Sequence, residues 1–256
     1  MSNIYKAFEN GKAFIGFLTA GDPTAEKTVE YILDMEKAGA DLIEIGIPFS
    51  DPTAEGLVIQ NANIRALNAG MTTNKVFDIV KRVREKSGIP LVFLTYINPV
   101  YKYGYNNFFI QCKEVGVDGI IIPDLPFEEK DEIENIADKY NVDIISLISP
   151  TSEERIKTIA KEAKGFIYVV SSMGVTGVRR EIKTNIASII KSIKEVTDVP
   201  CAVGFGINSP NQAKEISEIA DGVIVGSAIV KIIEKHSDND NEELYKYIRQ
   251  MKGALE

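Results

Sequence analysis

One acidic side chain interrupts the apolar run Leu42-Ile43-Glu44-Ile45-Gly46. Successive side chains of an extended strand point to opposite faces, so Ile43 and Ile45 share one side while Leu42, Glu44 and Gly46 share the other. A strand covered by helices turns its isoleucines outward, which sends Glu44 inward. Loss of water raises a carboxyl's pKa and suits it to general acid work. A buried Glu held by a structural hydrogen bond would produce the same pattern. The segment Pro48-Phe49-Ser50-Asp51-Pro52-Thr53-Ala54-Glu55-Gly56 adds a second carboxylate, Glu55, on a loop that can reach the same mouth. By residue type alone Glu55 reads as an ordinary solvated side chain. Asp51 and Asp124 each adjoin a proline, where Asp commonly organises a turn. No Lys stands at the end of an expected strand, which argues against a Schiff base, and the single histidine, His236, cannot furnish a zinc site. What remains is proton transfer by carboxylates, with Tyr168 as a further candidate.

A second group of residues suits an anion. Gly204-Phe205-Gly206 and Gly226-Ser227-Ala228 end two successive apolar runs, and Ile229 to Ile233 can add a helical turn after the second. Glycines let backbone N–H groups approach a phosphate, and Ser227 as an N-cap would leave helix N-terminal donors facing it. One such glycine pair could equally be a tight turn; two at adjacent strand ends favour a phosphate cradle. Ser171-Ser172-Met173-Gly174-Val175-Thr176-Gly177 could close over it as a lid, or be a plain surface loop.

These residues need a scaffold that gathers strand ends. Short runs rich in Ile, Val and Phe begin at Phe14, Leu42, Leu91, Gly119, Asp143, Phe166, Cys201 and Gly222, and are nearly continuous in apolar residues, as strands covered on both faces are. Helical spacing lies between them, as in Val76, Ile79, Val80, Val83, in Ile186, Ile189, Ile190, Ile193, and in Leu244, Tyr247, Ile248, Met251. Eight strands alternating with helices predict a (β/α)8 TIM barrel in the α/β class, with an open doubly wound sheet as the competing architecture. Strand starts are 28, 49, 28, 24, 23, 35 and 21 residues apart, so extended loops are expected after strands two and six. No linker or low-complexity tract divides residues 1–256, and a single domain is expected.

Composition excludes several functions. A net charge of -8 without any basic block argues against nucleic acid. The run Ala13 to Ala20 is too short to span a bilayer and has no basic lead-in. Cys112 and Cys201 are far apart in sequence, which fits a reducing cytoplasm, and no metal site is expected.

Together the motifs resemble the α subunit of tryptophan synthase over Phe14 to about Lys235. The resemblance rests on Glu44-Ile45-Gly46-Ile47-Pro48-Phe49-Ser50-Asp51-Pro52, Ile59-Gln60-Asn61-Ala62-Asn63, Gly174-Val175-Thr176-Gly177, Gly204-Phe205-Gly206-Ile207 and Gly226-Ser227-Ala228-Ile229-Val230. It implies a lyase that cleaves indole-3-glycerol phosphate to indole and D-glyceraldehyde 3-phosphate by a retro-aldol route. In that reading Glu44 is the acid that protonates the indole ring, Glu55 hydrogen-bonds the indole N–H, and Tyr168 lies beside Glu44. Phe17, Leu94, Ile121 and Leu147 would surround the indole; Gly177, Phe205, Gly206, Gly226 and Ser227 would hold the phosphate. Without the resemblance, the apolar four read as ordinary barrel core. Tyr96 and Asn98 are open between substrate contact and loop support.

The resemblance further implies a separate β subunit carrying pyridoxal phosphate, in an α2β2 assembly, with no cofactor on this chain. Pro48 to Asp51, Tyr101 to Phe109 and Asp124 to Pro126 would face that partner. The chain departs from the family in one place: Glu55-Gly56-Leu57 replaces the usual Asp-Gly-Pro. The carboxylate is one methylene longer, and the loop lacks proline's φ restraint. Two other functions fit parts of the sequence: a chain that binds substrate and only activates its partner, and another phosphate-binding barrel such as an indole-glycerol-phosphate synthase or phosphosugar isomerase. The second would share the glycine cradles but leaves Glu44 and the Ser50-Asp51-Pro52 loop unexplained.

Overall fold

The computed structural model describes residues 2–171, 179–204, 206–236 and 241–256. In chain order the elements are β1 (Ala13–Thr19), α1 (Ala25–Lys37), β2 (Leu42–Gly46), α2 (Leu57–Asn68), α3 (Thr73–Arg84), β3 (Leu91–Leu94), α4 (Ile97–Tyr103), α5 (Tyr105–Val115), β4 (Gly119–Ile121) and α6 (Asp131–Lys139). There follow β5 (Asp143–Ile144), β6 (Ser146–Ile148), α7 (Glu153–Lys161), β7 (Ile167–Val170), α8 (Arg179–Lys194), β8 (Cys201–Gly204), α9 (Pro210–Ser217), β9 (Gly222–Val225), α10 (Ser227–His236) and α11 (Glu242–Gly253). Thr24, Thr72 and Ser152 start α1, α3 and α7 by accepting a hydrogen bond from the N–H three residues on.

All strand pairs are parallel, in the order β5-β4-β3-β2-β1-β9-β8-β7-β6. The two ends of that order, β5 and β6, are consecutive in the chain, so the sheet closes on itself as a barrel and the open-sheet alternative falls. The expected fifth strand is thus two pieces. The Ile145 N–H still reaches the Ile120 carbonyl at 2.9 Å, but from Ser146 onward the chain pairs with β7 instead. The long interval after strand two holds the loop 47–56 and an added helix, α2. The expected loop after strand six, Ser172 to Gly177, lies outside the described residues, as does Phe205. Among the described residues no helix is long and apolar enough to cross a membrane.

Alternation sorts the side chains into two cores. Ile43, Ile45, Phe93, Val169, Val203 and Val223 face the helices and are wholly buried. Ile15, Leu42, Val92, Ile121, Phe166 and Ala202 fill the barrel interior. Bulky branched and aromatic residues close this interior from below, so the space left open lies at the C-terminal ends of the strands.

The opposite end is fastened by a repeated device. Asp41, Asp118 and Asp221 each directly precede a strand, and each carboxylate accepts the N–H of a residue at the start of the strand before it: Phe14 at 2.7 Å, Leu91 at 3.0 Å and Cys201 at 2.9 Å. Each also pairs with a cation, Lys252, Arg84 and Lys194 respectively. Asp118 is 5% exposed and also accepts from the Asn3 backbone and side chain. Removing a buried partner strands the remaining charge and costs far more than an exposed pair does. Asp118→Ala should therefore lower the unfolding free energy by about 3 kcal/mol or more, measured by urea denaturation. A loss below about 1 kcal/mol would match an exposed pair and refute this role.

Candidate active site

Above the inner core the side chains change character. The next inward positions are Phe17 on β1, Glu44 on β2, Leu94 on β3, Leu147 on β6 and Tyr168 on β7, and all five line a cavity of about 1010 Å³ at the barrel mouth. The register sets Glu44 beside Phe17 on one side and Val92 on the other. Glycines make the rings fit. A Cβ on Gly46 would come within 2.8 Å of the Phe17 ring, and one on Gly204 within 2.3 Å of the Tyr168 hydroxyl. Gly204 therefore has a steric task in seating Tyr168, apart from any phosphate.

Glu44 is 1% exposed, and its Oε1 has no hydrogen-bond partner among the described residues. Burial pushes its carboxyl up to about 8, so it carries a proton at neutral pH. The structural hydrogen bond that would have made Glu44 a plain core residue is absent at that oxygen. The Tyr168 phenol lies well above its ordinary value, through burial and then the nearby Glu44 charge. An acid and a phenol thus share an apolar floor.

Glu55 departs from the solvated reading. It lines the cavity, and its Oε2 accepts from the Asn63 side-chain amide at 2.7 Å. Burial raises its pKa, while hydrogen bonds from Asn63 and Tyr96 oppose the rise. The Gln60 amide holds the Glu55 carbonyl at 2.7 Å, and Tyr96 Oη accepts the Ala54 N–H at 3.1 Å while its ring packs against Phe49. Tyr96 is accordingly a support for the Glu55 loop, and exposed Asn98 does not line the cavity. Asn63 had a readable signal: Ile59, Ala62, Asn63 and Ala66 follow the i, i+3, i+4, i+7 spacing of a buried stripe, in which a polar member needs a partner.

At the opposite rim, Gly206, with φ +81°, and Gly226 and Ser227 line the cavity. Ser227 is the first residue of α10 and not its cap, because the Val230 N–H closes the first turn onto the Gly226 carbonyl at 3.1 Å. The helix end still offers unpaired N–H groups and a positive dipole end to an anion. Gly177 and Phe205 lie outside the described residues. Ile121 is wholly buried in the inner core, next to Leu94 in register, and is not among the residues that line the cavity.

The loops after β2, β3 and β4 form one linked rim. Pro48 is buried and Asp51 exposed; Asp124 is exposed and accepts the Ile97 N–H at 2.9 Å, which fixes the start of α4; Pro126 is exposed and lines the cavity. Tyr101 on α4 is 68% exposed at the same rim.

A family model described as tryptophan synthase alpha chain matches residues 5–256. The tryptophan synthase alpha chain of Lacticaseibacillus casei is 50% identical over 256 residues, covering 100% of this chain and 96% of that protein. That of Methanocaldococcus jannaschii is 49% identical over 233 residues, covering 90% and 83%. Among solved structures, tryptophan synthase subunit alpha from Legionella pneumophila superposes with a TM-score of 0.90 at 36% identity, covering 100% of this chain and 98% of that one. A chain of the tryptophan synthase α2β2 complex of Pyrococcus furiosus gives 0.87 at 39% identity, covering 95% and 99%. With the whole barrel and its mouth matched at these identities, the chain belongs to the tryptophan synthase alpha chain family.

Proposed function

We propose that this chain is the lyase that cleaves indole-3-glycerol phosphate to indole and D-glyceraldehyde 3-phosphate, serving tryptophan biosynthesis. The observation that carries this reading is Glu44: a protonated carboxyl with an unpartnered oxygen, on the apolar floor of a cavity whose far rim is a helix N-terminus. Such a site suits a molecule with an aromatic ring at one end and a phosphate at the other.

The chemistry follows from that placement. The phosphate sits at the N–H groups of α10 and the Gly206 turn, and the ring lies among Phe17, Leu94 and Leu147. Glu44 gives its proton to the ring carbon that bears the glycerol chain, and the positive charge passes to the ring nitrogen. Glu55 accepts the N–H hydrogen bond, which stabilises that charge. The glycerol hydroxyl then loses its proton to the Glu44 carboxylate, the carbon–carbon bond breaks, and its electron pair restores the aromatic indole as the aldehyde forms. Glu44 ends protonated, ready for the next cycle. Because the protonated ring is the electron sink, the step calls for no metal or cofactor on this chain. Tyr168, seated by Gly204, bounds the site beside Glu44.

The family includes α2β2 complexes such as that of Pyrococcus furiosus. By the same reading the rim of Pro48, Asp51, Asp124 and Pro126 faces a β subunit that receives the indole and holds pyridoxal phosphate. Two free, buried cysteines, Cys112 and Cys201, fit a cytoplasmic setting.

Incubation of the chain with indole-3-glycerol phosphate, with and without a β subunit, should release indole. Glu44→Gln should lower the rate by about a hundredfold or more while phosphate-ligand binding persists; retained turnover would put the acid elsewhere. Since the protonated form is needed, the wild-type rate should fall as pH rises through about 8. The same group leaves a mark on stability. Its folded pKa lies above the unfolded value of 4.5, so the folded state binds the extra proton between the two, and stability falls as pH rises across that window. Glu44→Gln cannot titrate, so its stability relative to wild type should grow from pH 4.5 to about 8 and then level off. Parallel urea-unfolding curves for the two proteins across this range would contradict the buried, protonated state.

A further inference from the structure

The cavity does not end at the barrel wall. Its lining includes inward residues such as Leu147 and Tyr168, but also Ile122, Ile144, Ser146 and Ile159, which lie on the outer side or on α7. The reason is the broken fifth strand. The ladder from β4 to β5 ends with the Ile145 N–H on Ile120, and β6 pairs only with β7, so β4 and β6 part at their upper ends. Elsewhere in the barrel outward side chains such as Ile43, Ile45, Phe93, Val169 and Val203 are wholly buried under helices, whereas Ile144 and Ser146 are only partly buried.

The helices over this gap leave it uncovered. α6 packs on α5 and α7 on α8, while the seam between α6 and α7 is spanned by ion pairs: Lys130 to Glu162 at 2.7 Å, Lys164 to Glu134 at 3.3 Å and Lys164 to Asp138 at 2.7 Å. Behind these struts lies a side chamber walled by Ile122, Leu125, Phe127, Ile144 and Ile159. One polar group faces it from the barrel, the Ser146 hydroxyl, for which the structure gives no hydrogen-bond partner among the described residues.

We infer that this side chamber is a second binding site for indole, outside the barrel wall. The inference rests on the proposed reaction, which releases indole into the connected cavity. The chemistry of the walls matches: apolar surface for a flat ring, and one hydroxyl able to accept its single N–H. The whole cavity, about 1010 Å³, has room for more than one molecule the size of indole. Two cations that also line the cavity, Lys130 and Arg155, are already paired with Glu162 and Glu128, so neither is set to act on the ring, which makes the chamber a holding site.

The chain has no tryptophan, so indole can be counted by its own fluorescence. In equilibrium dialysis with indole, the wild-type chain should bind a second equivalent. Ser146→Phe, which fills the chamber from the barrel side, and Ile159→Phe, which fills it from α7, should each remove that second equivalent while turnover of indole-3-glycerol phosphate stays within about twofold of wild type. Leu147→Phe, which crowds the active site, should remove the other equivalent and the turnover. Crystals of the wild-type chain soaked in 5-bromoindole should show a bromine peak between Ile144, Ser146 and Ile159, whatever the fate of the variants. A single equivalent on the wild type, or no bromine at that place, overturns the inference. Two equivalents on a chain that fails to cleave indole-3-glycerol phosphate would uphold the chamber and overturn the proposed reaction instead.

Discussion

A carboxylic acid held out of water with one oxygen unpaired is an expensive thing to build, and the barrel mouth is arranged around it. A carboxyl in contact with water keeps its ordinary pKa and is ionised at neutral pH. Glu44 escapes this only because Phe17, Leu94, Leu147 and Tyr168 exclude water from its side of the barrel. The rings fit only because Gly46 and Gly204 lack side chains. A single requirement, a proton retained at neutral pH, thus dictates the residue types at several strand ends.

Such a site lowers stability, and the fold compensates at the other end. The Asp41, Asp118 and Asp221 carboxylates tie neighbouring strands together where the chains enter the barrel, each with a paired cation. The division is physical. Strand starts can be locked by side-chain hydrogen bonds without cost to function, whereas strand ends must keep polar groups unsatisfied so that a substrate can satisfy them. The same tension is visible in the Glu55 loop, where Asn63, Gln60 and Tyr96 each hold one atom of a segment that lacks regular structure.

Among the described residues, closure of the ring is incomplete at the fifth strand. Its switch of neighbours at Ile145 opens the wall between β4 and β6, and ion pairs bridge the helices above. Each pair keeps one partner partly in solvent, which limits what it adds to stability. They do bridge a gap that side chains of α6 and α7 leave open, and so allow a chamber to persist beside the active site.

Much of this was legible in the residues themselves. Period-two alternation in Leu42 to Gly46 is enough to aim Glu44 inward, and eight apolar runs separated by helical patterns are enough to specify a parallel barrel, because side-chain direction follows directly from backbone geometry. The glycine pairs marked the anion end for the same local reason. Tertiary structure decided what depends on neighbours remote in sequence. Glu55 changes from a solvated loop residue to a held carboxyl because Asn63 and Tyr96 meet it in space. Ile121 packs in the inner core with Leu42 and Val92, neighbours brought to it only by barrel closure. The break at Ile145 depends on which strand runs beside it, and the unpaired state of Glu44 on every group that stays away from it. Sequence sets direction and pattern; the presence or absence of a partner is set only when the chain has closed.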